Sequence, residues 1–215
     1  MPHLSPSRIQ DHACRVVFNR ECGHGLKLLR LQVQSGAQFA CQPGQFVMLD
    51  LPESRFHFRR PFSVLDTPTT DTFDLYYKQV GVGTGIMWDL QPGDTLNCLG
   101  PLGIGFTSPT SPETALYIGG GIGIAPLYLL AKHQAIAGHC FYGVRGQSEI
   151  GLEAELQAVF GDKLHIATDN GSYGFHGNVC QLLETQAQTV SAAQEAYVCG
   201  PMRMMQATVE LLHRM

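Results

Sequence analysis

Gly119-Gly120-Gly121-Ile122-Gly123-Ile124-Ala125-Pro126 is the stretch on which the reading of the chain turns. An apolar run, Ala115 to Ile118, precedes it and reads as a short buried strand. Pro126 follows where the first turn of a helix belongs, a position at which its missing N–H costs nothing. Leu127 to Ala135 continues that helix. Strand, glycine turn and helix therefore follow one another directly. Glycines there let the backbone come close to a ligand, and the helix start turns N–H groups toward an anion. The order of glycines is not G-x-G-x-x-G, so a standard dinucleotide fingerprint is not claimed. A tight turn that holds nothing is the alternative.

Toward the C-terminus the alternation persists. Cys140 to Val144 and Leu164 to Ala167 read as strands. Between them Leu152, Leu156, Val159 and Phe160 have helical spacing, and Gly161 stops that helix. Asn178 suits the cap of a helix reaching about Thr185. Ala196 to Cys199 reads as a fourth strand. Pro201 opens a last helix with Met202, Met205, Val209 and Leu212 on one face. Such alternation implies a parallel sheet with helices on both sides.

Toward the N-terminus the period changes beyond the Thr-Ser-Pro-rich stretch Thr107 to Pro112. Leu29, Leu31 and Val33 alternate with polar residues, as do Phe73, Leu75 and Tyr77. Phe46 to Leu51 follows the turn Pro43-Gly44, and Leu96 and Cys98 follow Pro92-Gly93. Period-two runs between Pro-Gly turns imply an antiparallel sheet or barrel. The domains expected are 1–106 and 107–215.

Four further segments carry candidate chemistry. Arg59-Arg60-Pro61-Phe62-Ser63 places a fork of N–H donors beside a proline, suited to a pyrophosphate, with a hydroxyl two positions past the proline. A solvated basic pair before a strand is the plain alternative. Gly81-Val82-Gly83-Thr84-Gly85 precedes a helical Ile86 to Leu90 and offers a second phosphate cradle or a flexible turn. Cys199-Gly200-Pro201 ends the fourth strand, and ligands of open α/β sheets bind beyond strand C-termini. Thr168-Asp169-Asn170-Gly171-Ser172-Tyr173-Gly174 ends the third strand at the same edge, as a polar binding loop or an ordinary glycine-rich one.

Composition narrows the class. Of 215 residues 44% are apolar and 15% charged, which suits packed domains rather than a disordered chain. A formal net charge of −4 without a basic run argues against a nucleic-acid surface. No apolar run reaches the ~20 residues a bilayer needs. Met1 to Arg20 lacks the apolar core of a signal peptide, so a cytoplasmic location is expected. The seven cysteines are widely spaced without C-x-x-C, and the nine histidines are scattered, so no metal site is expected.

Taken in order, these segments resemble the ferredoxin–NADP reductase superfamily over nearly the whole chain. Pro43-Gly44-Gln45-Phe46-Val47, Arg59 to Val64, Gly81 to Thr84, Leu99-Gly100-Pro101-Leu102-Gly103, Gly119 to Pro126, Thr168 to Gly174 and Cys199-Gly200-Pro201 carry the resemblance. Within the superfamily they are most similar to the electron-transfer subunits of two-subunit dihydroorotate dehydrogenases. The fold implied is an N-terminal antiparallel six-stranded FAD-binding β-barrel followed by a parallel-sheet α/β nucleotide-binding domain. The resemblance implies that Arg60, Pro61, Phe62 and Ser63 hold FAD. It assigns Tyr76, Tyr77 and Lys78 to a second flavin-contacting stretch, and Gly83 and Thr84 to the pyrophosphate loop. Gly119, Gly120, Gly121, Ile122, Gly123, Gly200 and Pro201 match the NAD(H) side, with Asp169 at the same edge. Asp169-Asn170 departs from the family's usual pair of aspartates. Ser63, near the hydride-accepting flavin nitrogen, and Cys199, beside the nicotinamide, are the expected catalytic residues.

The function implied is electron transfer from a partner subunit, which bears FMN and oxidises dihydroorotate, through FAD to NAD⁺ in pyrimidine biosynthesis. A heterotetramer with that partner is expected. A stand-alone NAD(P)H-dependent flavin or ferredoxin-type reductase is the alternative. The resemblance also implies a C-terminal 2Fe–2S segment, but no C-x4-C-x2-C spacing occurs. The expectation is a chain cut short before that segment, with the fourth strand left without a fifth as neighbour.

Overall fold

The computed structural model describes residues 9–34, 36–51 and 58–215. The first eight residues of the Met1 to Arg20 stretch, read above for a leader, lie outside the described residues. The chain divides into two compact units, Met1–Phe106 and Thr107–Met215.

The first unit contains β1 (Gln10–Gly23), β2 (Leu26–Val33), β3 (Phe46–Asp50), β4 (Arg60–Thr69), β5 (Thr72–Lys78), the helix α1 (Val82–Asp89) and β6 (Thr95–Leu102). The strands close into an antiparallel barrel in the order β1-β2-β5-β4-β3-β6. Alternation sets the inner face: Leu29, Leu31, Phe73 and Leu75 are fully buried. On β5 the other face is buried as well. There Asp74 accepts both arms of Arg30, Nε at 2.7 Å and Nη2 at 2.8 Å, while Arg30 lies 4.8 Å over the Phe18 ring. Gly44, at φ +89°, makes the turn into β3. A Cβ there would lie 2.8 Å from the Phe106 ring, so only glycine fits.

The second unit contains β7 (Leu116–Gly120), α2 (Ile124–Lys132), β8 (His139–Val144), α3 (Glu153–Phe160), β9 (Leu164–Thr168), β10 (Phe175–His176), α4 (Val179–Thr185), α5 (Ala187–Ser191), β11 (Ala196–Cys199) and α6 (Met202–Leu212). Its sheet is parallel throughout, in the order β10-β9-β8-β7-β11. Leu116, Ile118 and Phe141 pack on Val179, Leu182, Leu183 and Leu211 from α4 and α6. On the opposite face Tyr117 meets Phe160 of α3 at 5.4 Å between ring centroids. At the strand starts His139 Nδ1 and His165 Nε2 are 3.1 Å apart, and His165 stacks on Phe141. The segment entering this unit is tied to β11. Glu195 accepts from the Thr110 N–H at 2.9 Å and the Thr110 hydroxyl at 2.7 Å, and the Tyr197 hydroxyl donates to Thr107 O at 2.8 Å.

Three expectations are corrected. The sheet has five strands, because the two-residue β10 pairs with β9. Among the described residues β11 has only β7 beside it. Helix α2 stops at Lys132 rather than Ala135. Helix α6 buries Thr208 and Leu211 and leaves Met202 at 65% and Val209 at 44% exposure. Thr208 reads as polar in the sequence, yet it packs against α4, where its hydroxyl lies 3.6 Å from Cys180 Sγ.

No helix among the described residues is long and apolar enough to cross a membrane.

Candidate functional site

In the barrel, β4 opens with Arg60 and lies antiparallel to β3. The register sets Arg60 opposite Leu49, Pro61 opposite Met48, Phe62 opposite Val47 and Ser63 opposite Phe46. The two arginines of the segment part company. Arg59 forks onto Asp11, Nη1 to Oδ1 at 3.0 Å and Nη2 to Oδ2 at 2.5 Å. Its hydrogen bonds hold the Asp11 carboxyl below the usual carboxylate range. Arg60 instead lies beneath the loop that starts α1. A Cβ on Gly83 would be 3.3 Å from Arg60 Nε and 3.5 Å from both Arg60 Cγ and Leu51 Cδ1. Bare backbone therefore sits against a guanidinium at a helix start.

Thr84 organises that start. Its hydroxyl oxygen accepts from the N–H of Val80 at 2.8 Å and of Gly81 at 3.1 Å, and its proton can go to Gly81 O at 3.1 Å. A Cβ on Gly81 would meet nothing within 4 Å, so the loop faces open space there. Backbone amides of a first helical turn, a glycine without bulk and an adjacent guanidinium form a donor set suited to a diphosphate. The barrel thus fits the phosphate-bearing end of FAD.

The other barrel candidates lie on β4 and β5. The Phe62 and Tyr77 rings meet edge-on, 6.3 Å apart at 76°. The Tyr77 hydroxyl donates to Asn19 Oδ1 at 3.1 Å, and burial pushes its pKa well above the usual phenol value. Tyr76 is buried, and Lys78, half-buried, pairs with Leu26. Asn19 and Lys27 were not singled out in the sequence, yet both reach the far end of α1. Neither lies in a glycine-rich or turn motif that would have marked it.

On the sheet, β7 and β11 run side by side with Cys199 opposite Gly119. The glycine turn and the Cys199-Gly200-Pro201 segment meet backbone to backbone. A Cβ on Gly123 would lie 2.5 Å from Cys199 O and 2.7 Å from Gly200 Cα. One on Gly120 would lie 2.9 Å from Pro201 Cδ, and one on Gly119 2.7 Å from Ile124 Cδ1. Gly121 differs: at φ +54° it has nothing within 4 Å of its missing Cβ. Its neighbour Ile122 is 45% exposed. This open backbone cradle before α2 fits a nucleotide phosphate. Burial raises the Cys199 thiol, which keeps it neutral.

The loop after β9 is latched to the loop after β8. The Asp169 N–H donates to Val144 O at 3.0 Å, and the exposed Asp169 side chain lies at the strand's C-terminal edge. Asn170 Oδ1 accepts from the Ser172 N–H at 3.0 Å and hydroxyl at 2.6 Å, and the Gln147 N–H donates to Ser172 Oγ at 2.8 Å. The Tyr173 hydroxyl donates to Glu153.

Among the described residues no group of three or more His, Cys, Asp and Glu side chains is placed to hold a metal ion. All seven cysteines are free, and burial alone pushes Cys41 up to about 12.

A closed antiparallel barrel with one phosphate cradle, then a parallel sheet with another, defines an FAD- and NAD-binding oxidoreductase with the fold of ferredoxin reductases. The oxidoreductase FAD-binding domain model matches residues 13–105, and the oxidoreductase NAD-binding domain model matches 117–210. The ferredoxin reductase of carbazole 1,9a-dioxygenase superposes with a TM-score of 0.82 at 23% identity, over 98% of this chain and 67% of its own. The FAD/NAD-binding domain of nitric oxide dioxygenase from Vibrio cholerae gives 0.82 at 18% identity, over 94% and 92%. The electron transfer subunit of dihydroorotate dehydrogenase B from Listeria monocytogenes is 34% identical over 96% of this chain and 76% of its own length. That of Geobacillus thermodenitrificans is 40% identical over 79% of this chain and 66% of its own. The chain belongs to the family of dihydroorotate dehydrogenase B electron transfer subunits. It spans about two thirds of the length of several of these relatives.

Proposed function

We propose that this protein carries electrons between an FMN-containing, dihydroorotate-oxidising partner subunit and NAD⁺, by way of its own FAD. The observation that carries this reading is the kinship with proteins named as dihydroorotate dehydrogenase B electron transfer subunits, which reaches 40% identity. Bound FAD supplies the two-electron and one-electron redox chemistry.

The residues bind and orient. Arg60 would hold the diphosphate together with the α1 start at Gly83 and Thr84. Pro61 stiffens the entry to β4, and Phe62 would form one wall for the flavin ring, backed from within the barrel by the buried Tyr77. The Ser63 hydroxyl would donate a hydrogen bond near the ring's hydride-accepting nitrogen, with Tyr76 and Lys78 in the second stretch that would hold the flavin. On the sheet Gly119 to Gly123 with Gly200 and Pro201 take the NAD(H) phosphates, and Asp169 meets the nucleotide from the β9 loop. Cys199 would flank the nicotinamide as a neutral thiol. The partner gives a heterotetramer with this chain.

The test is reconstitution. The purified chain, loaded with FAD, is mixed with a purified FMN-bearing dihydroorotate dehydrogenase subunit from a relative's source. Co-elution of the two proteins is the expected result, with dihydroorotate-dependent NAD⁺ reduction that needs both once the 2Fe–2S segment implied by the resemblance is joined to the chain. Rapid NADH oxidation by free flavin or ferredoxin, without any complex, would mark a stand-alone reductase and overturn the proposal.

A further inference from the structure

We propose that Asn19 is a positioning residue for the FAD diphosphate, acting through the far end of α1. The inference rests on the reading of the α1 start as the diphosphate holder.

Helix α1 has only eight residues, too few for stability on its own. Met87 O takes only a long hydrogen bond from the Leu90 N–H, at 3.3 Å, no basic residue stands in the last turn, and no glycine closes the helix. The barrel wall supplies the missing donors. Asn19 of β1 turns its side-chain amide onto three carbonyls, Met87 O at 2.8 Å, Leu90 O at 3.1 Å and Trp88 O at 3.3 Å. The amide has two hydrogens for three acceptors, and the longest contact is the one that another residue relieves. Lys27 of β2 donates to Trp88 O at 2.6 Å, and its ammonium lies 4.5 Å from the Trp88 ring centroid.

The other side of Asn19 is also engaged, since Oδ1 accepts the Tyr77 hydroxyl. One side chain thus ties α1 to β5, and through the Phe62–Tyr77 contact to the strand that bears Ser63. Both polar side-chain atoms of Asn19 are spent on this junction. The junction fixes how far α1 advances toward Arg60, and displacements of about 1 Å are enough to spoil binding geometry. Asn19 itself would touch no cofactor atom.

The experiment compares FAD with riboflavin, which lacks the phosphates. Apoprotein of the full chain is titrated with each ligand, and quenching of flavin fluorescence gives the two dissociation constants. Loss of two or three hydrogen bonds at one junction predicts that Asn19→Ala weakens FAD about tenfold or more. Riboflavin should stay within about twofold of the parent value, because it makes no contact at the α1 start. Lys27→Met, which keeps the stem but loses the donor, should act in the same direction more weakly, and serves if Asn19→Ala does not fold.

A general loosening of the barrel would instead lower both affinities together with the apoprotein melting temperature, and that overturns the proposal. So does FAD affinity at the parent value in both variants. Arg60→Ala is run in parallel. If it weakens FAD and Asn19→Ala does not, only this inference falls. If Arg60→Ala leaves FAD binding unchanged, the diphosphate reading falls and this inference with it.

Discussion

Arg59 and Arg60 are neighbours in sequence with opposite duties. Arg59 is neutralised by Asp11 at the surface, whereas Arg60 lies against Gly83. Arg60→Ala should therefore weaken FAD by roughly 10- to 100-fold, the value of a charge-assisted hydrogen bond, as read by flavin content after gel filtration. Arg59→Ala should leave flavin content at the parent level and cost no more than ~0.2–1 kcal/mol of stability in urea. The Asp11 carboxyl is held low in the folded state, so that small contribution is present above the ordinary carboxylate pKa. It is lost only as pH falls through the folded value. Gly121 gives the matching prediction on the sheet. Its φ of +54° disfavours any β-branched side chain, and a Cβ would enter the open cradle. Gly121→Val should keep full flavin content while NADH oxidation with an artificial acceptor becomes slow. Unchanged NADH kinetics would remove the cradle from the nucleotide site.

At the scale of strands and helices, the sequence was most legible where one period ran unbroken. The alternation of β2 and β5 and the strand–glycine–helix passage into α2 place the barrel and the sheet. β1 was not legible, because its buried set His12, Cys14 and Val16 includes a polar ring and its register shifts between Val16 and Phe18. The exposed set holds Arg15, Arg20 and Glu21 but also the apolar Val17, 42% exposed, which blurs the alternation. The α6 face was misread because Met202 and Val209 are apolar yet exposed, while Thr208 is polar yet buried. Leu211→Ala should accordingly cost about 2–4 kcal/mol, and Val209→Ala less than about 0.5, in denaturant unfolding. Of the site, glycines and Arg60 were readable because backbone approach and charge need particular residues. Asn19 was not, since its role depends on helix-end carbonyls 68 to 71 residues further along the chain. The paired starts of β8 and β9 add a pH dependence. Burial lowers the pKa of both His139 and His165, so folding favours their neutral forms. A base whose folded pKa is depressed contributes stability in full above its ordinary value of 6.5. That contribution is lost as pH falls below it toward the folded value. Melting of the second unit should decline between pH 7 and 5, and His165→Gln should flatten the decline.

For the molecule as a whole, two units with separate cores predict two calorimetric transitions. FAD should raise one and NADH the other, each by mass action on its own unit. A single transition raised by either ligand alone would show that the units melt together. The boundary between them carries a practical consequence. Thr107 to Pro112 has the composition of a stretch that proteases nick first. Its Thr107 and Thr110 are nonetheless fastened by three hydrogen bonds to Tyr197 of β11 and to Glu195 just before it. Cleavage needs a segment that can unfold into a protease groove, and a fastened one resists. Limited digestion of the native protein should therefore leave this stretch intact until β11 itself opens. A gene fragment meant to express the second half alone should begin before Thr107 rather than at the first residue of β7.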